Sequence, residues 1–158
     1  MKKIYCDMDG VLVDFVKGAE KQTGKSITKW AQGSKSEKWG QIKANPNFWR
    51  DLPWMSGGKQ LWNFLKNKDV EILSAYVEDT YDKNCIPGKR FWATKNLGIS
   101  SSKINLVRRV QKQQFADKNS ILIDDYPKNV NDFRARGGQG IVHNGDTSRT
   151  LRLLKKLL

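Results

Sequence analysis

Cysteine is scarce in this 158-residue chain: there are two, Cys6 and Cys85, and they lack the spacing of a metal site. A disulfide between them stays open on sequence alone, but two free thiols in a reducing compartment is the simpler reading. Histidine is scarcer still. His143 stands alone, so neither a zinc site nor a nucleophile relay through histidine can be assembled, and a structural role after a strand is expected for it. Long apolar runs are absent too, and nothing approaches the roughly 20 residues a membrane helix needs. Met1-Lys2-Lys3 leads directly into strand-like sequence without an apolar signal region. These absences point to a soluble, cytoplasmic protein without membrane attachment. Internal repeats and low-complexity tracts are also missing.

Acids are in deficit, 16 against 29 Lys and Arg, for a net charge of +13. Such a field draws polyanions and speeds capture of anionic ligands, although a solvated, self-repelling surface has the same composition. The excess concentrates between residues 17 and 43. There Lys17, Lys21, Lys25, Lys29, Lys35, Lys38 and Lys43 face only Glu20 and Glu37. Trp30 and Trp39 interrupt this polar stretch and give it something to pack on, so it reads as a small helical insertion, not a disordered linker.

The chain length suits one domain with a proper core. Ile4 to Cys6 reads as a strand that stops at Asp7, and Asp9 follows with Gly10 to turn the backbone. In an extended segment Asp7 and Asp9 point the same way. Two carboxylates so close repel unless a cation or a proton separates them. Alone, the pair suits an Asx-rich turn equally well.

Further strands are expected at Val70–Leu73, ending at Ser74-Ala75, at Ile104–Val107, at Ser120–Ile123, ending at Asp124-Asp125, and at Gly140–His143. Helices are expected from Asp14 to Lys21, after Gly57-Gly58, from about Lys89 to Asn96, over Gln111–Ala116 and Asn129–Arg136, and from Thr147 to the end, with a polar loop over Glu78–Asn84. Asp14 fits a helix N-cap or flap better than a metal ligand. Alternation of strand and helix implies an α/β domain with a mainly parallel sheet. Ligands bind such sheets beyond the carboxyl ends of the strands. Aspartate is a poor strand residue, so strands ending at Asp7, Ser74 and Asp124-Asp125 favour a site over a simple turn.

Taken in order, Asp7-Met8-Asp9-Gly10-Val11, a strand ending in Ser74, Lys89, and a strand ending in Asp124-Asp125 resemble the four motifs of the haloacid dehalogenase (HAD) phosphohydrolases. The first and fourth motifs are specific together, whereas the serine and lysine gain weight from their order. The resemblance implies a HAD-like three-layer core over residues 1–14 and 54–158, with a small helical cap over 15–53. It implies Asp7 as nucleophile, Asp9 as general acid and base, and Ser74 and Lys89 as phosphate donors. Ser74 also reads as a small strand-ending residue, and Lys83, Arg90 and Lys95 compete with Lys89. The implied cofactor is Mg²⁺, held by Asp7, Asp9 through its carbonyl, and the Asp124-Asp125 pair. The same resemblance makes Asp125 the direct ligand and Asp124 one acting through water.

Within that superfamily the chain is most similar to the 5'(3')-deoxyribonucleotidases, through Asp7-Met8-Asp9-Gly10-Val11-Leu12-x-Asp14-Phe15, Phe48-Trp49-x-x-Leu52-Pro53 and Lys89-x-x-Trp92. It implies hydrolysis of nucleoside monophosphates, with Phe15, Phe48 and Trp49 enclosing the base, although these rings also suit the core of a cap. The short, strongly basic cap departs from that family. It leaves two alternatives, a phosphatase of polynucleotide (3') ends and a non-catalytic HAD-fold module that binds nucleic acid through its basic surface.

Overall fold

The computed structural model describes residues 1–158. Five strands form one sheet: β1 (Lys3–Cys6), β2 (Val70–Ala75), β3 (Ile104–Val107), β4 (Ser120–Asp124) and β5 (Gln139–Val142). Their order is β3-β2-β1-β4-β5, and every pairing is parallel. The expected mainly parallel sheet is therefore wholly parallel. Parallel strands need crossovers and so bury both faces. That is why β4, Ser-Ile-Leu-Ile-Asp, is buried at all five positions.

The crossovers hold seven α-helices, α1 (Phe15–Thr23), α2 (Ile27–Ala31), α3 (Lys35–Lys43), α4 (Gly58–Leu65), α5 (Asp79–Asp82), α6 (Cys85–Leu97) and α7 (Pro127–Ala135), and α8 (Thr147–Leu157) follows β5. Asp14 caps α1, its Oδ1 accepting from the Lys17 amide at 2.9 Å. None of these helices is long and apolar enough to cross a membrane. Two helices depart from expectation. The polar stretch after β2 winds into α5, whose first turn carries acids that suit a helix N-terminus. Helix α6 begins at Cys85 and takes Pro87 into its first turn, where the missing amide N–H has no intrahelical partner to lose. The stretch expected as a helix over Gln111–Ala116 is a 3₁₀ segment, Arg109–Phe115.

Helices α1 to α3 are inserted between β1 and β2, and the two ends of the insertion are tied together. The Asp14 amide donates to the Pro53 carbonyl at 2.9 Å, and the Met55 amide donates to the Leu12 carbonyl at 2.8 Å. Ala19, Trp30, Ile42, Phe48 and Trp49 from the insertion join the strand residues in one continuous apolar core. Trp92 of α6 locks the exit, donating from Nε1 to the Leu52 carbonyl at 2.8 Å while packing edge-on to Trp54. Cys6 and Cys85 are both free and buried. Burial raises both thiols, Cys85 to about 11, which leaves them unreactive.

A polar ladder crosses three strands. Lys3 Nζ contacts Glu71 Oε2 at 2.7 Å, and Asn105 Nδ2 donates to Glu71 Oε1 at 3.0 Å. Burial works against the Glu71 charge, but the bonds from Lys3 and Asn105 outweigh it and hold its pKa below the ordinary value. A depressed carboxyl pKa adds stability above the unfolded value, and that stability is lost as pH falls through the folded value. Glu71→Gln is therefore expected to destabilise the protein at pH 7 by under about 1 kcal/mol, because Lys3 is partly solvated. Urea midpoints compared at pH 7 and pH 3 should show the deficit shrinking at the lower pH. An equal deficit at both would rule out an ionic contribution.

Candidate active site

The backbone after β1 builds the first part of the site. The Asp7 amide donates to the Ile123 carbonyl at 2.9 Å, which fixes the end of β1 against β4. The chain then makes a tight turn in which the Met8 carbonyl accepts from the amides of Val11, Leu12 and Val13. Gly10 adopts φ +80°, and a side chain there would collide with the Asp125 carboxylate. Glycine is thus required on two counts, conformation and space.

Four strand-end acids meet in this small volume. Asp7, Asp124 and Asp125 each offer an oxygen within 4.8 Å of the others. Two lysines close the cluster from opposite sides, each 2 % exposed. Lys89, on α6, donates from Nζ to Asp9 Oδ2 at 2.8 Å, Ser74 Oγ at 2.9 Å and the Ala75 carbonyl at 2.7 Å. The competing Lys83 and Lys95 are exposed, and Arg90 is turned to Ser101. Lys112, on the 3₁₀ segment, lies 2.8 Å from Asp124 Oδ2 and 3.1 Å from Asp7 Oδ1. Burial disfavours the charge on both lysines, but the facing carboxylates hold both pKa values above the ordinary value.

The carboxyl groups of Asp7 and Asp125 are also raised, which for an acid disfavours the charged form. Burial pushes Asp7 well up, Lys112 pulls it down, and the charges of Asp124, Asp125 and Asp9 push it further. Asp125 is raised to about 6, first by burial of its carboxyl group and then by Asp124. The residue is exposed overall, but this carboxyl group packs against Gly10. Asp124 is already engaged: Oδ2 accepts from Lys112 and from Asn129 Nδ2, and Oδ1 accepts from the Tyr126 amide. Asp9 differs again, because its Oδ1 is buried without a partner. The set is all oxygen and remains crowded with negative charge despite two lysines. That chemistry fits a hard divalent cation of the Mg²⁺ type.

A cavity of about 540 Å³ opens beside Asp9 and Asp125, lined by Asp14, Phe15, Val16, Met55 and the turn His143–Gly145. His143 holds two bonds: its backbone amide donates to the Asp124 carbonyl at 2.9 Å, and its Nδ1 shares a hydrogen bond with Thr150 Oγ1 at 2.7 Å. It therefore braces the end of β4 as well as lining the cavity.

All the acids expected at the site, with Ser74 and Lys89, are brought together. The aromatics are not all so placed. Phe15 borders the cavity, but Phe48 and Trp49 are 4 % and 2 % exposed. Phe15 stacks on Trp49 at 5.5 Å and meets Trp30 and Phe48 edge-on. The Trp49 indole N–H is taken by Asp82 Oδ2 at 2.7 Å, and Lys89 Nζ lies 5.4 Å from the centre of the same ring. Of the three expected rings, Phe15 lines the cavity, and Phe48 and Trp49 are buried behind it. Lys112 is absent from the sequence expectation. The signal available was a cation between the third strand and Asp124-Asp125, but Arg108 and Arg109 carry it equally well.

No protein-family model matches the chain, and no curated protein does. Solved structures do match. The putative HAD-hydrolase YfnB from Bacillus subtilis aligns with TM-score 0.59 at 11% identity, over 92% of this chain and 87% of its own. The haloacid dehalogenase-like family protein SP0104 from Streptococcus pneumoniae gives 0.57 at 15%, over 100% and 99%. L-2-haloacid dehalogenase from Xanthobacter autotrophicus gives 0.57 at 12%, over 89% and 76%. The chain has the fold of the HAD-like hydrolases.

Lys112 is the cation between Asp7 and Asp124, so its removal leaves two buried carboxylates without compensation. Lys112→Met is expected to lower stability in chelator-treated buffer by about 3–5 kcal/mol. The double variant Asp7→Asn with Lys112→Met should recover part of that loss. Urea midpoints measure both, and an unchanged midpoint in the single variant would contradict this charge balance.

Proposed function

We propose that the protein is a Mg²⁺-dependent phosphomonoesterase that hydrolyses nucleoside monophosphates, deoxyribonucleotides foremost, through an aspartyl-phosphate on Asp7. The observation that carries this reading is the buried ammonium of Lys89, which by itself joins Asp9 to Ser74 at the carboxyl ends of β1 and β2. A donor pair set beside a carboxylate nucleophile and a second carboxylate is what in-line phosphoryl transfer needs.

In this reading the Asp7 carboxylate attacks phosphorus, and the bond from phosphorus to the leaving oxygen breaks. Asp9 delivers its proton to that oxygen, and Oδ1, buried and unpaired, is the atom free to carry it. Ser74, Lys89 and Lys112 hold the phosphoryl oxygens and the charge that builds on them. Water then attacks the aspartyl-phosphate, Asp9 takes back a proton, and Asp7 is regenerated with release of inorganic phosphate. Asp7, Asp125, the Asp9 carbonyl and, through water, Asp124 would hold Mg²⁺, which when bound neutralises phosphate charge and separates the carboxylates. Support comes from the engaged oxygens of Asp124, which leave Asp125 the freer ligand, and from the structural neighbour YfnB, which is bound to magnesium.

Residues 15–53 act as the cap in this reading, and Phe15 offers the base a face. Base stacking is worth about 1–3 kcal/mol and tolerates base identity, which suits a broad nucleotidase. The net charge of +13 favours a second reading, a phosphatase of polynucleotide ends.

Purified protein assayed with Mg²⁺ against p-nitrophenyl phosphate, a panel of nucleoside monophosphates and a 3'-phosphorylated oligonucleotide distinguishes these. Turnover is expected with the mononucleotides, lost on chelation and abolished in Asp7→Asn. Phe15→Ala should raise KM for dTMP about tenfold or more while leaving that for p-nitrophenyl phosphate near its starting value. Metal-dependent activity retained by Asp7→Asn would overturn the mechanism. Preference for the oligonucleotide would replace the substrate, and no hydrolysis at all would leave a non-catalytic module.

A further inference from the structure

Lys17, Lys21, Lys25 and Lys29 follow one another at intervals of four residues, along α1, the turn after it and α2. Three more lysines sit on α3. Like charges four residues apart in a helix destabilise it, and nothing in the protein neutralises these: none of the seven forms a salt bridge. Glu20, the acid inside the row, directs its carboxylate to the Ile27 amide at 2.8 Å. Lys17, Lys21 and Lys29 are exposed. Lys17 and Lys21, one turn apart on α1, thus repel each other on a surface where an external anion would relieve the cost.

The rest of that face identifies the anion. Val16 is the one large apolar side chain exposed between residues 15 and 53. Trp30 is buried, and Phe15 and Trp39 pack against the core. A protein partner is anchored by aromatic and aliphatic side chains, and an interfacial membrane helix needs an apolar face. Neither anchor is present. What remains on the surface of α1 to α3 is mainly lysine with small hydroxyl and amide side chains, Ser26, Thr28, Gln32, Ser34 and Ser36, with Glu37 the one exposed acid. Those are the groups that contact a phosphate backbone without reading sequence.

We infer that the inserted helices bind the phosphate backbone of a polynucleotide, without sequence preference and independently of the reaction at Asp7. The inference does not rest on the proposed phosphatase activity. An oligonucleotide with hydroxyls at both ends, which offers the site no phosphomonoester, tests it alone. Its binding is read by fluorescence anisotropy across a salt series. If four lysines each displace a counterion from a single strand, the salt slope is about −2.8, or about 50-fold weaker binding at 200 mM than at 50 mM salt.

The triple variant Lys17→Gln, Lys21→Gln, Lys29→Gln is expected to bind at least tenfold more weakly at 50 mM salt, with the slope reduced to about −0.7. The corresponding triple arginine variant should restore both, which separates a charge effect from damage to the helices. No binding at 50 mM salt, equal binding by the glutamine variant, or a flat salt series would overturn the inference. So would binding to phosphatidylserine vesicles that the glutamine variant loses, without binding to the oligonucleotide.

Discussion

Everything near the carboxyl end of the sheet depends on how four acids are kept together. Asp7, Asp9, Asp124 and Asp125 come from the ends of two adjacent parallel strands and the turn that follows the first. Two buried ammonium groups hold them, Lys112 between Asp7 and Asp124 and Lys89 between Asp9 and Ser74. Neither lysine could stay charged at 2 % exposure without these acids, and the acids could not stay this close without the lysines. The compensation is incomplete, because Asp7 and Asp125 remain raised. This crowding of carboxylates is the feature on which the proposed Mg²⁺ site rests.

The surrounding structure serves that cluster. The wholly parallel sheet puts the ends of β1, β2 and β4 side by side. Gly10 allows the turn that brings Asp9 back over Asp7 and leaves room for the Asp125 carboxylate. His143 ties the end of β4 to β5 and α8. The insertion, closed at its base by bonds from Asp14 to Pro53 and from Met55 to Leu12, sets Phe15 at the edge of the cavity. Its interior is aromatic and its exterior is lysine. Packing and charge are thus divided between its two faces.

Strands β1 and β4 were legible because each ends at a residue that strands disfavour: Asp7 and Asp124 stop apolar runs, so chemistry and boundary coincide. Lys89 was legible from its place near the start of a helix that follows Ser74. Lys112 was not, since a short 3₁₀ segment has no apolar period to show which of three nearby cations turns inward. The burial of Phe48 and Trp49 was not legible for a related reason. A sequence shows that rings are present, but whether they face a ligand or one another depends on packing among residues far apart in the chain, here Phe15 and Asp82. The N-terminal shift of α6 has a local cause, the tolerance of a helix's first turn for Pro87.

The proposed mechanism requires Asp7 to become covalently phosphorylated. Acid-quenching the protein during incubation with dTMP and Mg²⁺, reducing with borohydride and mapping the peptides by mass spectrometry tests this directly, because borohydride converts an aspartyl-phosphate to homoserine. Homoserine is expected at position 7, dependent on substrate and Mg²⁺ and absent from the chelated protein. Steady turnover with position 7 recovered only as aspartate, or with homoserine at Asp9, Asp124 or Asp125 instead, would contradict it.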